Sequence, residues 1–213
     1  MSAGSCVGRQ IGLEMASDTT IIGLADTDGA ASGAAAKAVA PVSSQAVALE
    51  INPIEWASMT AGVQKLANPW TRLDVMVNVC HIRSGSSLLG MTEDEFDALA
   101  DGALTATMHG VRAAADVMMA NGNGCIVNVF LTSGDHYLVD QSLVEAGKML
   151  TRAAAVELAP SGIRVVGVSG TYMHGREEGV AEAVSFLSSA ESTYVTGTTL
   201  VVGQGDALCA SDA

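Results

Sequence analysis

Leu150 to Val168 reads LTRAAAVELAPSGIRVVGV, a helix, a turn and a strand in direct succession. Leu143, Gly147, Leu150 and Ala154 recur at helical spacing and give the helix one apolar face. Pro160-Ser161-Gly162 stops it, because proline cannot donate within a helix and glycine accepts the left-handed cap. RVVGV (Arg164 to Val168) then has the unbroken small, branched character of a strand covered on both faces. A capped helix feeding a doubly covered strand is one half of a βαβ unit.

Moving outward, the same alternation recurs. TIIGLA (Thr20–Ala25) ends at Asp26, AVALEI (Ala46–Ile51) is stopped by Asn52-Pro53, and LDVMVNV (Leu73–Val79) follows a helix that closes near Asn68-Pro69. CIVNVF (Cys125–Phe130) and TTLVV (Thr198–Val202) complete the readable strands. Thr92 and Glu95 form a capping box ahead of an apolar-periodic helix reaching about Ala120, and Asp140 to Leu158 forms a second long helix. Repeats, linkers and low-complexity tracts are missing, so the expectation is one α/β domain over 1–213, a Rossmann-like doubly wound parallel sheet. MSAGSCVG (Met1–Gly8) reads as a glycine-rich turn running into a helix with no strand before it. Either the first strand is missing from the fold or the chain is a shortened version of a longer product.

Composition narrows the function classes. Net charge is −13 with ten Lys and Arg, which argues against nucleic acid or an anionic membrane as partner, since both select a basic footprint. No apolar run approaches a membrane span and no secretory leader is visible, so a cytoplasmic location is expected. Cys6, Cys80, Cys125 and Cys209 are scattered, and buried reduced thiols are expected rather than a metal site or disulfide framework.

The order of motifs resembles the short-chain dehydrogenase/reductase (SDR) superfamily over essentially the whole chain. Leu150–Val168 is similar to that family's helix, turn and strand, and AESTYVTGTTLVVGQG (Ala190–Gly205) to its closing segment. LDVMVN (Leu73–Asn78) and GCIVNV (Gly124–Val129) match two further core strands. The resemblance implies a TGxxxGxG turn for the cofactor pyrophosphate, but the aligned positions are Met1, Ser2, Cys6 and Gly8, and only the last is glycine. Gly4 adds a small residue within the loop, whereas side chains at Ser2 and Cys6 would intrude on a bound phosphate. Asp26 stands where an acid would hold the adenosine ribose, although aspartate also commonly ends strands. The family's Asn-Asn-Ala-Gly turn is reduced to Asn78-Val79-Cys80-His81, with His81 blocking close backbone approach. Cofactor binding is therefore not expected, with Gly4, Gly8, Asp26 and Asn78 as vestiges.

The family's proton-transfer set is Asn, Ser, Tyr and Lys. Alignment puts Ala103, Leu131, Asp140 and Val144 at those positions, so no catalytic residue is expected, and no metal ligand set is visible. The stretches Phe130–Asp140 and Gly170–Glu177 are also short, the second where the family carries a substrate lid. A repurposed acid/base site could draw on His136, Tyr137, Asp140 and Lys148, but Tyr137 and Lys148 are eleven apart and Asp140 reads more simply as a helix N-cap. Ser133, Tyr172, His174 and Tyr194 are polar without a constellation, and His109 reads as a packed or interfacial residue.

What the resemblance leaves is assembly. Family members form dimers and tetramers through two long helices, here 92–120 and 140–158. A non-catalytic subunit paired with an active SDR paralogue, as a heterotetramer with NAD in the partner, is the first expectation. The class of reaction would be hydroxyacyl-CoA or alcohol oxidation. An altered lyase or isomerase chemistry and a weak cofactor binder without activity remain open beside it.

Overall fold

The computed structural model describes residues 3–133, 138–172 and 177–203. Their order begins with α1 (Cys6–Glu14), β1 (Ile21–Asp26), α2 (Gly29–Val39), β2 (Gln45–Glu50), α3 (Trp56–Ala67) and β3 (Val75–Ile82). It continues with α4 (Glu93–Ala100), a π-turn (Asp101–Thr105), α5 (Ala106–Asn121), β4 (Gly124–Thr132), α6 (Leu138–Leu158), β5 (Ile163–Thr171), α7 (Glu177–Ser188) and β6 (Thr199–Val202). All strand pairs are parallel, and helices cover both faces, as expected of a doubly wound α/β fold.

The helix–turn–strand segment folds as its residues dictate. α6 ends in a short 3-10 turn at Ala159–Ser161, and Gly162 caps it with φ 73°. A Cβ at Gly162 would stand 2.3 Å from the Gly122 carbonyl oxygen, so glycine is required by both conformation and space. β5 is buried along nearly its whole length between β4 and β6. Val7 and Ile11 of α1 and Val180 and Val184 of α7 pack on one face of the sheet with Val127, Val129, Val166 and Val168. Met59 and Val63 of α3, Ala114 and Met118 of α5 and Ala155 of α6 pack on the other with Ile126 and Val165.

The helix expected from Thr92 to about Ala120 is two helices joined by the π-turn. Thr92 does cap α4, accepting the Glu95 N–H at 3.2 Å. Beside the widened turn the Thr107 hydroxyl donates to the Ala103 carbonyl at 2.6 Å. The Cys80 thiol lies 3.8 Å from the same oxygen.

The sheet is split. β1 and β2 form a two-stranded sheet, and β3, β4, β5 and β6, in that order, form a four-stranded one. Among the described residues the first strand is β1, and α1 precedes it. β1 and β3 face one another across a cavity of about 520 Å³, with α1 on one side and α3 on the other.

Candidate cofactor crevice and catalytic positions

In open parallel sheets a ligand crevice forms beyond the carboxyl ends of the strands where the strand order reverses. Here that point lies between the ends of β1 and β3, beside the N-terminus of α1. The Gly4 N–H donates to Asp26 Oδ2 at 2.9 Å, and the Asp28 N–H donates to Asp26 Oδ1 at 3.1 Å. Asp26 therefore ties the loop before α1 to the turn after β1. A Cβ at Gly4 would approach Ala31 Cβ to 2.5 Å, so the loop's closeness to α2 requires glycine. Ser5 is the N-cap of α1, its hydroxyl accepting the Gly8 N–H at 3.0 Å. Both Gly4 and Gly8 thus commit their backbone donors inside the protein.

Across the crevice, the rings of His81 and Tyr172 meet edge to face, with centroids 5.3 Å apart. Tyr172 also hydrogen-bonds through its side chain with Cys6; partial loss of water and then that bond raise the phenol pKa. Partial loss of water lowers the His81 imidazole pKa. His81 lies within β3 and not in a loop. The stretch expected to turn at Asn78–His81 continues as strand, because Cys80, His81 and Ile82 stay in register with Phe130, Leu131 and Thr132 of β4.

Asn78 sits mid-strand, 2 % exposed, away from the crevice. Its Nδ2 donates to Asn128 Oδ1 at 2.9 Å, Asn128 Nδ2 donates to Thr151 Oγ1 at 3.0 Å, and that hydroxyl donates to the Gly147 carbonyl at 2.9 Å. This buried chain joins β3, β4 and α6. A Cβ at Gly110 would stand 2.1 Å from Asn78 Oδ1, so α5 approaches the amide closely.

The positions aligned with the family's proton-transfer residues are all inside. Ala103 and Leu131 are each 1 % exposed, Asp140 2 % and Val144 3 %. Ala103 and Val144 pack with Cys80, Ile82, Phe130 and Leu143 in one apolar cluster. Asp140 is not an N-cap: α6 begins at Leu138, and Asp140 lies in its first turn. Its carboxylate reaches across the fold and accepts the Ser84 N–H, at 3.1 Å to Oδ1 and 3.3 Å to Oδ2. No local pattern marks Ser84 as its partner, since the two are far apart in sequence. The buried hydroxyls of Ser84 and Ser133 have no hydrogen-bond partner among the described residues. Lys148 pairs with Glu145 at 2.6 Å rather than turning toward Asp140. Tyr194 is fully exposed, and His109 packs against Trp56 while its Nδ1 lies 3.0 Å from the Pro53 carbonyl. His136, Tyr137 and His174 lie outside the described residues. Among the described residues there is no metal-ligating cluster and no helix long and apolar enough to cross a membrane.

The family's sequence model, described as short chain dehydrogenase, matches residues 1–178. The chain belongs to the short-chain dehydrogenase family. An uncharacterized oxidoreductase of Mycobacterium bovis is 33% identical over 161 residues, covering 62% of this chain and 65% of that protein. The chain thus matches just under two thirds of the length of that relative. The (3R)-3-hydroxyacyl-CoA dehydrogenase of Homo sapiens is 28% identical over 240 aligned positions, covering 95% of this chain and 92% of the human protein. A 3-oxoacyl-(acyl-carrier-protein) reductase of Thermotoga maritima is 28% identical over 171 residues, covering 67% of this chain and 70% of its own. Among solved structures, a short-chain type dehydrogenase/reductase from Mycobacterium marinum superposes with a TM-score of 0.89 at 24% identity, covering 96% of this chain and 92% of that one. A 3-ketoacyl-(acyl-carrier-protein) reductase from Brucella melitensis complexed with NADH superposes with a TM-score of 0.83 at 21% identity, covering 96% and 95%. These structural likenesses establish the Rossmann-like fold.

Proposed function

We propose that this chain is a non-catalytic SDR subunit that assembles with an active, NAD-dependent SDR paralogue in a hydroxyacyl-CoA or alcohol dehydrogenase complex. The observation that carries the reading is the burial of all four aligned catalytic positions, three of them apolar and two in one packed cluster. A proton-transfer set has to reach substrate, and these side chains reach neighbouring core atoms.

The crevice supports the same reading. A pyrophosphate at a helix N-terminus needs free backbone donors, whereas the Gly4 and Gly8 N–H groups are taken by Asp26 and Ser5. The His81–Tyr172 pair with Cys6 stands beside them. These residues do not fit a dinucleotide, and NAD belongs to the partner on this proposal.

The partner-facing surface is the pair of long helices. α5 exposes Met108 and Met119, α6 exposes Met149 and Val156, and Phe96 is exposed on α4. Large apolar side chains grouped on adjacent helices favour a protein interface. A heterotetramer built through 92–120 and 140–158 would bury them. The hydroxy(phenyl)methyl-succinyl-CoA dehydrogenase of anaerobic toluene breakdown is the specific pairing we put forward, resting on the resemblance alone.

Co-expression with an intact family member, followed by native mass spectrometry, tests the assembly. The proposal expects a mixed oligomer; a stable homo-oligomer that ignores the intact member would remove it. One observation favours a second reading, an acid/base chemistry without hydride transfer: Asp140 is a buried carboxylate bound to the N–H of Ser84, whose own buried hydroxyl has no hydrogen-bond partner among the described residues. In that case Asp140→Asn would abolish turnover while leaving assembly intact.

A further inference from the structure

The loop between β3 and α4 is fastened at its base by two carboxylates from two helices. The Ser84 N–H donates to the Asp140 carboxylate of α6, and the next amide, that of Gly85, donates to Glu95 Oε1 of α4 at 3.2 Å. Hydrogen bonds to an ionised acceptor are stronger than neutral ones. Beyond these two amides the loop has little to hold it. Leu88 is 69 % and Leu89 99 % exposed, and neither joins a buried cluster. The Gly90 N–H donates to the Ser87 carbonyl, a turn internal to the loop. Gly85 and Gly90 stand near its two ends, where a moving segment places its hinges.

Two groups oppose this closed arrangement. Asp140 is a buried carboxylate with no basic side chain within ion-pair distance among the described residues, and a charge so placed lacks the stabilisation that water gives it. Ser84 is 3 % exposed, and its hydroxyl has no hydrogen-bond partner among the described residues. Both groups gain water when the loop lifts. Lifting exposes little further apolar surface, because Leu88 and Leu89 are already outside, and segments with few buried contacts open locally.

We propose that residues 84–90 form a strap that opens and closes over Asp140, with Asp140 as the inner fastening and Glu95 as the outer one. Closed, the Asp140 carboxylate is bonded to the Ser84 N–H and shut away from solutes. Open, it meets water near the end of β3, the strand that carries His81. The strap makes Asp140 an intermittently available carboxylate, and Glu95 sets from α4 how often it is available. The inference does not depend on the proposed function.

Amide hydrogen exchange and carbodiimide labelling of carboxylates, both on the full chain, test it with two variants. Glu95→Ala removes the outer fastening and should speed exchange at Ser84 and Gly85 by about 10-fold or more. Ser84→Ala removes the unpartnered hydroxyl and should slow exchange at Gly85 by about 10-fold, the opposite of what losing a structural contact does. Labelling of Asp140 with glycine ethyl ester, read by peptide mass spectrometry, should change in step with exchange in both variants. The amides of Ile126 in β4 and Val166 in β5 should keep their wild-type rates. The proposal is overturned if Ser84→Ala speeds exchange, or if Glu95→Ala leaves it unchanged or speeds Val166 as much as Gly85. Asp140 labelling that does not follow exchange also overturns it, as does wild-type labelling as fast as that of the exposed Asp94, since the strap then covers nothing.

Discussion

Asn128→Ala removes the middle of the buried amide chain, and the structure sets its cost. Asn128 is 0 % exposed, accepts from Asn78 Nδ2 and donates to Thr151 Oγ1. Thr151 keeps its bond to the Gly147 carbonyl, so its hydroxyl remains satisfied. Asn78 does not fare so well, because its Oδ1 already has no partner among the described residues and its Nδ2 would lose its bond to Asn128. A stranded buried amide costs about 1–3 kcal/mol, and the small void adds about 1 kcal/mol. A loss of about 2–4 kcal/mol follows, read as a Tm fall of about 4–16 °C for a chain of this size. The sharper signature is non-additivity. Asn78→Leu replaces the stranded amide by an apolar side chain of similar volume, so the double variant Asn78→Leu/Asn128→Ala should be more stable than the two single losses predict by about 1–2 kcal/mol. Urea unfolding of the four proteins of this cycle measures it. Additivity within about 0.5 kcal/mol would refute the idea that these two amides form one buried unit.

Three further outcomes follow from the same structure. Gly110→Ala puts a methyl 2.1 Å from Asn78 Oδ1, and calorimetric unfolding should show a loss of about 1–3 kcal/mol; a neutral result would mean α5 is not seated on Asn78. The lowered His81 pKa means the folded chain resists protonation there. Stability should be full above about pH 6.5, the unfolded value, and decline as pH falls through the window down to the folded pKa; His81→Asn should flatten that decline, and an unchanged profile would place its source elsewhere. The double change Met149→Glu/Val156→Glu alters residues 58% and 79% exposed, so monomer stability should shift by no more than about 0.5 kcal/mol. Sedimentation with the intact family member should show the assembly lost, and survival of the complex would remove α6 from the interface.

The fold was readable because its signals are local. The α6–β5 segment carries its own stop in Pro160 and Gly162, and the doubly buried β4 and β5 are built mostly of small and branched residues. Strand ends were less readable, since β3 runs on to Ile82 only through its register with β4. Asp140 looks like a cap from its neighbours, yet its partner is Ser84, which no local pattern designates. The π-turn is built from ordinary helix-forming residues, and its stabilising contact from Thr107 becomes visible only in three dimensions. The identity of the four aligned positions came from the sequence. Their burial came from packing, with Ala103 and Val144 set against Phe130 and Leu143, and it turns a set of absent groups into a filled space.

The central claim is that this chain contributes structure and a partner contributes the cofactor. Calorimetric titration of NADH into the purified chain and into its complex with the intact family member tests it most directly. The account predicts no binding to the chain alone and one NADH for each intact subunit in the complex. Micromolar binding to the isolated chain, or one NADH for every chain in the complex, would contradict it.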